Sequence, residues 1–146
     1  MTFAMEKQLA PAHEAQSRFE IAVVFTSVEA TLAALKAAGS LAYRLGGRIT
    51  IIVPQVVPFP LQLTSPPVLL EWNERRFRVI ARESPVETAV RFYLCRDRME
   101  TLTKVLNGHS LVVLGGGKRR WWPTPERRLA RKLRRAGHEV ILTETE

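Results

Sequence analysis

The chain has 146 residues, 46% of them hydrophobic, which is enough for one real core and too few for two ordinary domains. Its single cysteine, Cys95, excludes an internal disulfide, and His13, His109 and His138 are too scattered to build a metal cluster with it. The net charge of +8 is carried by one segment: Lys118 to Arg135 holds nine basic residues and one acid, and the 13 bases and 13 acids elsewhere cancel, which excludes a uniformly cationic surface.

Residues 1–18 are polar and alanine-rich without a period, and are expected to form a flexible tail ahead of a single domain over 19–146. They show no basic segment followed by an apolar one, and the most apolar later run, "ITIIVPQVVPFPL", is broken by Pro54, Pro58 and Pro60. A cytoplasmic protein with no membrane partner is the expectation. "FEIAVVFTS" (19–27) is a short run rich in β-branched residues and predicts a buried strand. Ser27 can cap a following helix, with Glu29 placed near the positive end of its dipole. Val28, Leu32, Leu35, Gly39 and Ala42 give that helix one apolar stripe, and Gly46-Gly47 supplies its left-handed stop. "RITIIVPQVV" predicts a second strand that proline ends, and "PFPLQLTSPP" a loop.

Helical spacing returns in "VLLEWNERRFRVIARES", with Leu70, Phe77, Ile80 and Ala81 on one side. "PVETAVRFYLC" alternates apolar residues with Glu87, Arg91 and Tyr93, as a strand near a sheet edge does. "RMETLTKVLNG" predicts a short helix through Met99, Leu102, Val105 and Leu106, and "HSLVVLGG" a strand ending in glycine. "PERRLARKLRRAG" carries Leu129, Leu133 and Ala136 on a narrow stripe, with Thr124 as a candidate cap and a proline in the first turn. "HEVILTE" is the last strand. Strict alternation of strand and helix predicts a Rossmann-like, three-layer α/β/α sandwich with right-handed crossovers, whose ligands sit beyond the carboxyl ends of the strands.

From Phe19 to Glu144 the chain resembles the universal stress protein family. The resemblance rests on a strand running into a polar turn and an alanine-rich helix ending "LGGRITIIVPQVV", a proline-rich loop, and a closing "LVVLGGG…LARKLRRAGHEVILTE". It implies an adenine nucleotide alpha hydrolase-like domain with a five-stranded parallel sheet in the order 3-2-1-4-5, commonly a homodimer through the last strand. It also implies a stress-response role and a nucleotide, ATP or another adenine nucleotide, at the loop after the fourth strand. Members that bind ATP carry an acid just after the first strand, where this chain has Phe25, Thr26 and Ser27. Their loop has a second glycine where Lys118 stands, and no Gly-Ser pair follows here. What carries over is the glycine turn Gly115, Gly116 and Gly117, the hydroxyl of Thr124 and the backbone at Val53.

Elementary chemistry gives the same loop a separate reading. Successive glycine amides before a helix can cradle phosphate, and Lys118, Arg119 and Arg120 would add charge-assisted bonds; a sharp turn accounts for the glycines equally well. Trp121 and Trp122 could stack on a base or cover an apolar crevice. Arg127, Arg128, Arg131, Lys132, Arg134 and Arg135 form a patch able to meet an anionic macromolecule, nucleic acid or an acidic protein, unless they are only a solvated helix rim. A P-loop fails, because Arg119 stands where magnesium needs Ser or Thr, and no glycine-rich dinucleotide fingerprint or nucleophile elbow is present. Arg96 and Arg98 could lower the pKa of Cys95, although a lone cysteine at a strand end is usually structural. No catalytic residue, metal ligand or required cofactor is assigned. The leading expectation is therefore a non-catalytic module that binds a phosphate-bearing ligand at Thr26, Ser27, Val53, Gly115 to Arg120 and Thr124. The alternative is an interaction protein that uses the basic 118–135 segment.

Overall fold

The computed structural model describes residues 2–7, 19–57, 70–106, 111–116 and 125–144. In chain order these form β1 (Thr2–Lys7), β2 (Glu20–Val24), α1 (Val28–Leu45), β3 (Arg48–Val56), α2 (Leu70–Glu83), β4 (Thr88–Cys95), α3 (Arg98–Val105), β5 (Leu111–Gly116), α4 (Pro125–Arg135) and β6 (Glu139–Glu144). The sheet runs β1-β4-β3-β2-β5-β6. Its β4-β3-β2-β5-β6 portion is parallel throughout, which is the expected five-stranded order 3-2-1-4-5 counted from β2.

The first residues depart from the expected tail. Thr2–Lys7 pairs antiparallel with β4, from Thr2 against Cys95 to Lys7 against Val90, so the sheet gains a sixth strand. The reason lies in the backbone: β4 ends the parallel sheet with a row of unpaired donors and acceptors, which a short extended segment can satisfy whatever its side chains. The remainder of the expected tail, 8–18, and the expected proline loop from 58 onward lie outside the described residues.

Two apolar layers hold the helices to the sheet. On one face Ile21, Val23, Ile49, Ile51, Val90 and Val113 pack against Ala34, Leu35, Ala38 and Ala42 of α1 and Phe77, Ile80 and Ala81 of α2. On the other, Ala22, Val24, Ile52, Val112, Leu114 and Val140 meet Leu102 of α3 and Leu129, Ala130 and Leu133 of α4. The buried face of α1 is richer in small residues than the expected stripe: Ala30, Ala34, Ala38 and Ala42 lie inside while Leu32 is 39% exposed. Four-residue spacing of alanines gives a flat ridge that lets a helix approach a sheet closely. Gly46 closes α1 at φ 67°, in the left-handed region the paired glycines predicted.

At the foot of the sheet, Arg48 Nη2 donates to Glu20 Oε2 at 2.7 Å and Thr50 Oγ1 to Glu20 Oε1 at 2.9 Å. This cluster fastens β2 to β3 at the end opposite the strand tips.

Candidate functional site

The carboxyl ends of β2 and β5 flank the point where strand order reverses, and four sequence-predicted residues meet there. Thr26 Oγ1 donates to the Gly115 carbonyl at 3.2 Å, and the Thr26 amide donates to Thr31 Oγ1 at 3.2 Å. Ser27 is the N-cap of α1: its side chain accepts from the Ala30 amide at 3.2 Å. Both hydroxyls are therefore engaged, that of Thr26 in fastening the end of β2 to β5 and that of Ser27 in capping α1. Gly115 and Gly116 are still part of β5, paired with Thr143 and Glu144 and buried, so the first two of the three glycines extend the strand before any turn begins. A side chain at Gly115 would run into the carbonyl oxygen of Ala30, and one at Gly116 would lie 3.3 Å from both Leu142 Cδ1 and the Thr143 oxygen. Glycine at 115 is what allows the first turn of α1 to rest directly on β5.

Phe25, at the position where the resemblance noted in the sequence implies an acid in ATP-binding members, packs against the α1/α2 core instead. Its ring meets Phe77 edge-on at 5.1 Å between centroids, and Phe77 meets Phe92 in the same manner at 5.6 Å. Val53 is buried on β3. Residues of a parallel strand turn their backbone groups alternately to the two neighbours. The Ile52 carbonyl accepts from the Phe25 amide on the β2 side at 2.9 Å, so Val53 faces β4. Pro54 is the residue turned toward the crevice beyond the end of β2, and it brings a carbonyl but no N–H. Gly117, Lys118, Arg119, Arg120, Trp121, Trp122 and Thr124 lie outside the described residues.

The basic patch is resolved into two flanks of one helix. Burial of Leu129, Ala130 and Leu133 fixes the rotation of α4 and turns its cations outward. Arg127, Arg131, Arg134 and Arg135, with Ala130 and Leu142, line an open groove of about 540 Å³ on the β6 side. Arg128 and Lys132, with Arg98, Asp97, Met99, Pro125 and Leu129, line a smaller hollow of about 280 Å³ toward the start of α3. Ala136, expected on the apolar stripe, is exposed, and Ala130 takes its place. The sequence pointed to Arg98 only as a neighbour of Cys95; the crossover that carries α3 beside α4 is what brings it to the cationic surface. The Arg134 Nη2 donates to the Val140 carbonyl at 3.0 Å, so this flank reaches the backbone of β6.

Cys95 does not behave as a reactive thiol. It is fully buried, with its Sγ 3.7 Å from the Gln55 carbonyl. Burial pushes its pKa above the ordinary 9.0, and a hydrogen bond with Thr101 and the charge of Arg98 only partly oppose this. Among the described residues no group of three His, Cys, Asp or Glu side chains could hold a metal, and no helix is long and apolar enough to cross a membrane.

Comparison with known proteins agrees with this architecture. The chain has the fold of a crystal structure described as a protein from the universal stress protein family from Burkholderia pseudomallei: the TM-score is 0.54 at 21% identity, covering 84% of this chain and 93% of that one. Neither a protein-family model nor a curated protein matches the chain.

Proposed function

We propose that this chain is a non-catalytic, universal stress protein-like module whose α4 surface recognises an anionic macromolecule. The observation that carries this reading is the division of six cations on an 11-residue helix between two hollows. A merely solvated rim would need neither. Five of the six are arginine, the side chain whose planar fork matches carboxylate and phosphate and whose hydration is weak enough to surrender on contact. Glu126 is the one acid on the helix, so little within α4 neutralises the field.

The test is binding of heparin, a short oligonucleotide and polyglutamate at rising salt. Affinity should fall steeply with ionic strength, and the double variant Arg131→Glu, Lys132→Glu should lose at least about a hundredfold, as expected when two charge-assisted contacts become repulsive. Salt-independent or absent binding removes the proposal.

A second reading, a phosphate-bearing ligand such as ATP at the 115–120 loop, draws on Gly115 and Gly116, which lead β5 toward the start of α4. It lacks the usual support from the first strand, because Phe25 packs against the core, the Thr26 hydroxyl bonds the Gly115 carbonyl and the Ser27 hydroxyl caps α1. Calorimetric titration with ATP, ADP and AMP separates the readings: saturable heat that Lys118→Ala abolishes supports the loop, and no heat at millimolar nucleotide leaves the α4 surface alone.

A further inference from the structure

The hollow of about 280 Å³ between α3 and α4 draws its positive charge from two separate helices. Arg98 opens α3, and Arg128 and Lys132 stand four residues apart on one side of α4. Side chains at that spacing lie one above the other on a helix, and like charges so placed repel. The crossover adds a third cation, Arg98, to the same hollow, so the cluster is relieved only by an anion among the three. The first amides of α3 do not serve such an anion, because Asp97 Oδ1 accepts from Met99 at 2.9 Å and from Glu100 at 3.3 Å. Recognition therefore falls to the side chains.

Charge and shape narrow the ligand. Among the described lining residues the three cations are offset by one acid, Asp97, which leaves a net charge of +2; the other acid of that turn, Glu100, is tied to Lys104 at 2.9 Å. A carboxylate or a phosphodiester carries one negative charge and would cancel half of this. A phosphate monoester carries about −1.5 to −2 at pH 7 and offers three acceptor oxygens to the three cations. Met99, Pro125 and Leu129 complete the wall with apolar surface, which suits the short carbon stem of an ester. The volume lies just under the roughly 300–1,000 Å³ of pockets that enclose a drug-sized molecule, so it matches one group and its stem. The hollow is also separate from the crevice at the tips of β2 and β5: among the described residues, Phe25, Thr26, Ser27, Val53 and Gly115 contribute nothing to its lining. From these observations we infer that Arg98, Arg128 and Lys132 form a phosphomonoester site, the two arginines holding phosphate oxygens with their planar forks and Lys132 supplying the third charge. This rests on the reading of α4 as an anion-recognising surface and narrows it to one flank and one ligand chemistry.

The experiment uses the full chain and a fluorescent alanine heptapeptide with phosphoserine at its centre, read by anisotropy. Control peptides carry glutamate or unmodified serine there, and inorganic phosphate and a thymidine dinucleotide, with its one phosphodiester, serve as competitors. The phosphopeptide should bind and be displaced by inorganic phosphate, and the glutamate peptide should bind at least about tenfold more weakly. Arg98→Ala and Lys132→Ala should each weaken binding about tenfold. Arg131→Ala, which removes a cation from the other groove only, should weaken it less than about threefold. Inorganic phosphate matching the peptide in affinity would identify a free small phosphate as the ligand; a tighter phosphopeptide would identify a phosphorylated partner protein. The inference is overturned if the glutamate peptide or the dinucleotide binds as tightly as the phosphopeptide, if Arg98→Ala has no effect, or if neither phosphate probe binds while heparin does. Failure of heparin and oligonucleotide as well, at low salt, would remove the underlying reading too.

Discussion

A methyl group at residue 115 has no room, because the Ala30 carbonyl occupies its place. Gly115→Ala should therefore push α1 off β5 and cost about 2–3 kcal/mol, the range for overpacked interiors. Gly116→Ala, whose contacts at 3.3 Å are with Leu142 and the Thr143 oxygen, should cost about 1 kcal/mol or less; urea denaturation of both variants compares them directly. The role of Gly115 was not legible in "LGGGK", since its partner is a backbone oxygen that no side-chain pattern advertises. Ser27 was legible, because capping uses a residue type and position that sequence displays. Glu20 supplies a pH test. Burial disfavours its charge, but hydrogen bonds from Arg48 and Thr50, with the charges of Arg48 and Arg91, outweigh that and hold the carboxyl below the ordinary 4.5. A folded-state value below the unfolded one means the stabilisation is fully present above pH about 4.5 and is lost as pH falls through the lower, folded value. Glu20→Gln should accordingly lower the urea midpoint near neutral pH, and the two curves should converge in stronger acid; a gap that stays constant with pH would count against this account.

At the scale of elements, β2 to β6 and the four helices follow the expected order because burial imposes a period of two or of 3.6 that residue types reveal. The misses have backbone causes. Pro54 was expected to end its strand, yet β3 continues to Val56: register pairing of β2 with β3 stops at Val24 and Ile52, so the missing N–H at Pro54 falls where no ladder partner remains. β1 escaped notice because an edge strand can be held by ladder bonds alone. For α4, the buried row and the outward cations predict opposite outcomes. Leu133→Ala should cost about 2–4 kcal/mol through a core cavity, whereas Lys132→Ala should change stability by no more than about 0.5 kcal/mol while weakening anion binding. Thermal melts combined with heparin retention would distinguish the two.

For the whole molecule, the sheet has two margins with different protection. β1 covers β4 along six paired positions, whereas β6 forms the other end of the sheet order. Deleting residues 1–7 should leave the β2–β6 core folded, since β2 to β6 and the four helices already supply two apolar layers, but should expose β4 and cause concentration-dependent association visible by sedimentation. Association unchanged from that of the full chain would mean that β1 is dispensable as a cover. The cationic corner was legible from charge arithmetic, and its split into two flanks was not, because the rotation of α4 and the position of Arg98 depend on the crossover.

The bond from Thr26 to the Gly115 carbonyl joins residues 89 apart, and the central strand β2 finds its second neighbour only in β5. A ribosome making this chain from the N-terminus therefore releases β2, α1, β3, α2 and β4 while one side of β2 still lacks its mate. The nascent protein must keep that bare flank from sticking to other chains until the strand that begins at Leu111 has been synthesised.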